Sequence, residues 1–324
     1  MERKYRYDEF LEEVRFQVEQ VLPQYRVTIE SGIKTNDVVL RGIQIKREGE
    51  PVGLCMYLEN WYERYLDGMK LGSIVEEIVR KLPAEMEREV LDTSLLLDYE
   101  QVRSHICYSL INPAYNVKIL EERPHTPFLD LEKVYEVDAG FLLADTQPAR
   151  VAIRYGMLET WGVTEEEIRK EAEKNTPQIR KPSLASMESV LLEMKDPELP
   201  ELPEFHGPEM YVLTNEQSWN GAAVLAYPGI TEWIADTLKT DFYVLPSSVH
   251  ETILLTAAGP SINEKELSAM IQEVNITNVR KDEWLGDHPY KYDKTLGILM
   301  PVGVGMEKKE EKGLGARTEK RQNR

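Results

Sequence analysis

The sequence predicts an α+β fold with an N-terminal helix plus antiparallel meander, a helical middle segment and a C-terminal mixed α/β unit. Three observations carry this. Apolar residues recur at three- and four-residue steps in some stretches and alternate in others, so both helices and strands form. The two kinds of stretch come in runs. The turns joining the first strands are too short for the crossovers that a parallel sheet needs. No internal repeat at a fixed period points to a solenoid or propeller.

Tyr7, Phe10, Leu11, Val14, Val18, Val21 and Leu22 share one helical face, and Pro23 stops that helix. Val27 and Ile29, then Val39, Ile43 and Ile45, then Val52, Leu54, Met56 and Leu58 alternate as three half-buried strands. Asn36-Asp37 and Glu48-Gly49-Glu50-Pro51 supply the turns, and Gly42 reads as a bulge. Glu59 to Tyr65 forms one or two helical turns. Ser73 with Glu76 is a capping-box pattern that opens a helix carrying Ile74, Val75, Ile78, Val79 and Leu82, which Pro83 closes.

Strands are expected at His105 to Ile111 and Val134 to Leu143, with an irregular section between them that holds a short apolar turn at Val117, Ile119 and Leu120. From Gln147 the pattern is helical. Thr164 and Glu167 form a second capping box, and that helix should end before Pro177. Six prolines between Thr176 and Pro208 mark a linker holding one helix, Leu184 to Met194. A strand at Met210 to Leu213 follows, then helical residues at Gly221 to Leu225 and a helix with Ile230, Ile234 and Leu238. Phe242 to Leu245 and Thr252 to Leu255 form a hairpin, and a last helix spans about Glu264 to Ile276. The chain thus divides into an N-terminal helix-plus-sheet unit (1–145), a helical segment with a Pro-rich linker (146–208), a C-terminal α+β unit (209–300) and a disordered charged tail (301–324).

A chain of 324 residues can bury a sizeable core, and its longest apolar runs are too short and too often charged to span a membrane. The start lacks the apolar stretch of a secretory signal. Cys55 and Cys107 are far apart and form no C-x-x-C pair, which suits a reducing cytoplasm. Against 39 basic side chains stand 57 acidic ones, and the net charge of −18 repels nucleic acid and anionic membranes. The tail from Glu307 to Arg324 is locally basic, but its lack of apolar periodicity marks it as solvated rather than as a nucleic-acid arm.

The most distinctive tract is Leu245-Pro246-Ser247-Ser248-Val249-His250-Glu251. Ser247, Ser248 and His250 are candidate catalytic residues, because a hydroxyl, an imidazole and a carboxylate are the inventory of acyl transfer. No glycine flanks the serines as a nucleophile elbow requires. In an extended segment Glu251 would face away from Ser248 and His250. The competing structural role is a hairpin turn in which the hydroxyls bond backbone groups and His250 caps a neighbouring element. Trp284, His288, Tyr290 and Tyr292 form a candidate face for a ligand or partner, since alternation sets the last three side by side. The structural counterpart is an edge of the core.

The histidines show no metal-site spacing, and no phosphate loop or dinucleotide fingerprint is present, so neither metal nor cofactor is expected. Cys107, two residues from His105, reads as a structural thiol, and Cys55 among Leu54, Met56 and Leu58 as a buried one.

Met210 to Asn215, Gly221 to Leu225, Leu245 to Glu251 and Trp284 to Asp293, in this order, resemble a bacterial family of uncharacterised proteins, domain of unknown function 5688. The likeness covers most of residues 5 to 300. In that family the last tract more often has Ser at the position of Gly286 and an aliphatic residue at that of Pro289. The resemblance implies a common fold and brings no substrate, cofactor or catalytic residue. The leading expectation is therefore a cytoplasmic, non-enzymatic interaction or regulatory protein with a protein or small-molecule partner. The alternative is a hydrolase or other small-molecule enzyme using His250 with Ser247 or Ser248.

Overall fold

The computed structural model describes residues 4–47, 54–86, 93–142, 150–194, 208–246, 248–258 and 262–303. The turn at 48–51, Val52, Gln147, Ser247 and the charged tail beyond 303 lie outside these residues. The chain opens with helix α1 (Tyr7–Val21), whose face of Phe10, Leu11, Val14 and Val18 is buried and whose last residue, Val21, is exposed. The meander is β1 (Tyr25–Lys34), β2 (Val38–Arg47) and β3 (Leu54–Tyr57), paired antiparallel in that order. Asn36 and Asp37, both at positive φ, make the β1–β2 turn.

Helices α2 (Glu59–Leu66) and α3 (Leu71–Met86) follow. Val27, Ile43 and Ile45 of the meander close with α1, Trp61 of α2 and Ile74, Val75 and Ile78 of α3 around one core. Alternation explains a correction here. Leu54 and Met56 pack on that core, so Cys55 between them points the other way and is exposed.

Three further expectations fail in this region. The backbone of α3 begins before Ser73, with Ser73 and Ile74 N–H both bonded to Lys70 O, so Ser73 lies in the first turn rather than at the cap. It also continues through Pro83 to Met86, so the proline lies in the last turn of the helix rather than beyond it. Gly42 is not a bulge. The pairing runs through it unbroken, Glu30↔Gly42 on one side and Gly42↔Tyr57 on the other. A Cβ there would lie 1.9 Å from Met56 O, so glycine serves close approach of the neighbouring strand.

Next come α4 (Tyr99–Val102), β4 (Ile106–Ile111), α5 (Val117–Glu122), β5 (His125–Phe128), β6 (Leu131–Asp138) and β7 (Arg150–Ala152). Their sheet has the order β4-β6-β5, with β7 on β6. The expected irregular section thus holds a strand, β5. The expected strand to Leu143 turns into a 3-10 helix at Ala139–Leu142, and the helix expected from Gln147 starts only after β7. Helix α6 (Tyr155–Trp161) ends on left-handed Gly162.

Helix α7 (Glu165–Ile179) has the expected capping box: Thr164 N–H donates to Glu167 Oε2 at 2.8 Å and Glu167 N–H to Thr164 Oγ1 at 3.3 Å. It passes through Pro177 instead of stopping before it. The turn ahead of the proline is fixed from outside, with Thr176 Oγ1 bonding Ala172 O and receiving Tyr108 N–H.

In the expected linker, β8 (Pro182–Ser186) precedes α8 (Met187–Met194), which is shorter than the expected helix. The remaining elements are β9 (Met210–Asn215), a buried 3-10 helix Gly221–Ala226, α9 (Ile230–Leu238), β10 (Phe242–Leu245), β11 (Thr252–Thr256), α10 (Glu264–Thr277), β12 (Tyr290–Asp293) and β13 (Ile298–Pro301). They build a six-stranded antiparallel sheet, β13-β12-β10-β11-β9-β8. Tyr243, Leu245 and Leu255 of one face pack on Leu267 and Ile271 of α10.

The chain forms two compact units, 1–108 with 113–125 and 134–176, and 109–112 with 126–133 and 177–324. Among the described residues no helix is long and apolar enough to cross a membrane.

Gly42→Ala should lower stability by roughly 2 kcal/mol or more through overpacking against Met56. Gly72→Ala, where an added methyl meets nothing within 4 Å, should leave it unchanged or raise it by about 0.5 kcal/mol. Thermal unfolding of the two variants side by side checks both signs.

Candidate functional site

Antiparallel pairing brings the end of β9, the end of β10 and the starts of β11 and β12 to one end of the six-stranded sheet. Three connections therefore gather there: 216–220, 246–251 and the stretch between α10 and β12. The second and third extend the sheet by a few bonds. Val249 N–H donates to Glu283 O at 2.8 Å, Gly286 N–H to Pro246 O at 2.7 Å, and Ser248 bridges Trp284. Gly286 is packed against this contact, since a Cβ would stand 2.8 Å from Pro246 Cγ.

Ser248 is buried, and its Oγ accepts His250 N–H at 3.0 Å, a side-chain turn that bends the chain. The segment is therefore not extended, and Glu251 lies near Ser248 rather than across the strand from it. Burial pushes the Glu251 carboxyl above the usual carboxylate range; the neighbouring His250 ring and the Ser248 hydroxyl offset part of this, and Glu283 adds to it.

His250 Nδ1 accepts the backbone N–H of Asn220 at 3.2 Å, at the start of the 3-10 helix 221–226. Its Nε2 lies 3.7 Å from Glu283 Oε1. Among the described residues neither ring nitrogen bonds the Ser248 hydroxyl, which a nucleophile and its base require.

The first connection is built around Asn215, which is 1% exposed. Its Oδ1 accepts Gln217 N–H at 3.0 Å and its Nδ2 donates to Trp219 O at 2.9 Å. Ser218 and Asn220 both sit at φ 50°, a left-handed conformation that costs a side-chain-bearing residue about 1 kcal/mol or more. Asn220 Nδ2 donates to Ser109 Oγ at 2.9 Å. Held this way, Trp219 is 48% exposed and its ring centroid lies 4.6 Å from that of His250. The sequence signs of this loop, Asn215, Ser218 and Asn220 around a tryptophan, are turn residues without apolar periodicity.

The other candidate face points elsewhere. Tyr290 and Tyr292 are buried, at 0% and 2% exposure, and Trp284 Nε1 donates to Asn275 O and Val279 O at the end of α10. His288 is clasped between two acids. Its Nδ1 lies 2.8 Å from Asp287 Oδ1, and its Nε2 3.0 Å from Asp130 Oδ2, off the line of the N–H bond. Tyr290 Oη donates to Asp130 Oδ1 at 2.6 Å. Asp130 follows Leu129, a bulky residue held at φ 57° in the β5–β6 turn.

Asp130 foremost, with Asp287, holds His288 above the usual histidine range against the opposing effect of burial. Burial pushes Asp130 up, but His288 and Tyr290 outweigh it and leave its carboxyl below the usual range. Cys107 is buried. Among the described residues no three His, Cys, Asp or Glu side chains converge as a metal shell.

Fold and site define an α+β protein of three antiparallel sheets that presents a preorganised loop at one sheet end. The chain belongs to the family of unknown function DUF5688, whose model matches residues 7–294. No curated protein and no solved structure matches it.

The His288 cluster carries a pH signature. A raised histidine value means stabilisation that is full below the ordinary histidine value and lost as pH rises through the raised one. A lowered Asp130 value means stabilisation lost only as pH falls through the depressed one. Wild type should therefore exceed His288→Asn in melting temperature most at roughly pH 5 to 6, by about 2–5 °C, with the gap shrinking toward about pH 9. A gap that widens with pH contradicts the clasp.

Proposed function

We propose that this protein is a non-enzymatic interaction or regulatory protein of the cytoplasm and that its partner engages the Trp219–His250 surface. The observation that carries this is the commitment of the polar groups. The Ser248 hydroxyl takes the His250 backbone N–H and His250 Nδ1 takes that of Asn220, while Trp219 is held outward on a strained loop.

Strain maintained by a buried scaffold such as Asn215 is expected where a surface must be ready before its partner arrives. Exposed tryptophan is the side chain most enriched at the energetic centre of interfaces. Cys55 and Cys107 are not joined in a disulfide, which supports a reducing compartment. The hydrolase alternative has less support, because the His250 ring would have to give up Asn220 to serve Ser248.

Affinity capture from extract of the native cells tests this. Wild-type protein should retain a saturable partner, and Trp219→Ala should lower its retention about tenfold, a loss of roughly 1.4 kcal/mol. Equal retention by both, or labelling of Ser248 by a fluorophosphonate, would overturn it.

A further inference from the structure

A neutral imidazole nitrogen that accepts a hydrogen bond stops doing so once it is protonated, because both nitrogens of the imidazolium are donors. His250 Nδ1 stands in that position toward the Asn220 backbone N–H, at 3.2 Å. Two carboxylates attract a proton to the ring. Glu283, on the 3-10 turn Lys281–Glu283, places Oε1 3.7 Å from Nε2, and Glu251 follows His250 in the chain and interacts with its charge. Arg280 reaches Glu283 only at 3.7 Å, since its two shorter bonds, 3.1 and 2.9 Å, go to Asp282. Lys281 lies on the same turn. The 216–220 connection brings the Trp219 indole, 4.6 Å from the ring between centroids, and one acid, Glu216, exposed at its start. The 3-10 helix Gly221–Ala226 carries no charged side chain.

We propose that His250 is a pH-sensitive latch: taking a proton turns Nδ1 into a donor, expels the Asn220 N–H and loosens the connection that carries Trp219. A ring that turned aside instead would take Nε2 away from Glu283 and lose the indole. The Asn220 end gives way more readily, because Ser218 and Asn220 are both held at φ 50°, against the preference of residues with side chains. Asn215 keeps its bonds to Gln217 N–H and Trp219 O, and Thr214 Oγ1 its bond to His250 O, so opening is confined to the Asn220 end. The direction follows from linkage. The closed connection holds the neutral ring, the open one accepts the proton, and acid therefore populates the open form. With partners engaging Trp219 as proposed above, acid loosens their hold; that consequence alone rests on the functional reading.

Proton–nitrogen NMR of the full chain between about pH 8 and about pH 5.5, the range in which histidine side chains change charge, tests this. The Asn220 amide proton should move upfield as its acceptor is lost, with the same midpoint as the His250 ring protons. His250→Asn, whose Oδ1 takes the place of Nδ1 and accepts at any pH, should leave the Asn220 signal independent of pH. Glu283→Gln, which removes a carboxylate from beside the imidazolium, should move the midpoint to lower pH by roughly 0.5. Matching thermal unfolding of the variants secures that all are folded. An Asn220 signal that stays fixed while the His250 ring titrates, or one that moves equally in His250→Asn, overturns the latch. Retention of the partner from native extract should fall from about pH 8 to about pH 6 for wild type and hold for His250→Asn. An Asn220 signal that moves with the ring while retention stays constant supports the latch and counts against the partner surface, so the two readings fail separately.

Discussion

At Gly221 two loops meet with no room for a side chain, and the arrangement at this end of the sheet depends on that contact. A Cβ on Gly221 would lie 2.0 Å from Thr214 Oγ1, 2.4 Å from His250 O and 2.9 Å from Asn215 N. Because it is absent, Thr214 Oγ1 can donate to His250 O at 2.8 Å and Ala222 N–H to Val249 O at 3.2 Å. These bonds bring the backbone of Asn220 within reach of the His250 ring. The requirement is space, not an unusual backbone angle. Everything assigned to Trp219 follows from this clasp, since the indole is positioned by the same few residues that the clasp fixes.

The clasp also explains the character of Ser248 and His250. Buried polar atoms must find partners, and in a tight loop the nearest partners are backbone groups. The Ser248 hydroxyl and His250 Nδ1 each accept a backbone N–H in this way. The His288 clasp is a second use of the same principle, with ionised groups. It joins Tyr290 to Asp130 over a separation of 160 residues and holds a strained turn in place. Both arrangements are structural in their bonding, and the difference lies in what they expose. One leaves an indole half in solvent, whereas the other buries its tyrosines.

Much of the fold was legible because it rests on one-sided burial. The face of α1, the meander, the hairpin β10–β11 and helix α10 each repeat an apolar period long enough to read. The errors have local causes. Pro83 and Pro177 each fall in the last turn of a helix, so the helices end within three residues of them rather than before them. Strands β5, β7 and β8 span three to five residues, too few for a period to appear. Gly42 and Gly221 are glycines for close approach, which sequence cannot distinguish from a bulge or a turn. Cys55 has apolar neighbours, but the alternation that turns Leu54 and Met56 inward turns it outward.

The site was only partly legible. Sequence drew attention to Ser248 and His250, and the structure brings both to the sheet end beside Glu251. It gave no sign of Trp219, Glu283 or Asp130, whose roles arise from loops meeting across the fold rather than from spacing along the chain. Ser247 lies outside the described residues.

The central claim is that the His250 ring is a backbone-binding element in the clasp. Its most direct test is the nitrogen-15 NMR spectrum of the imidazole. An Nδ1 that accepts the Asn220 N–H must be unprotonated in the neutral ring, so the proton resides on Nε2 and Nδ1 should give the resonance of an unprotonated, hydrogen-bonded imidazole nitrogen. A neutral His250 with its proton on Nδ1 would contradict the account.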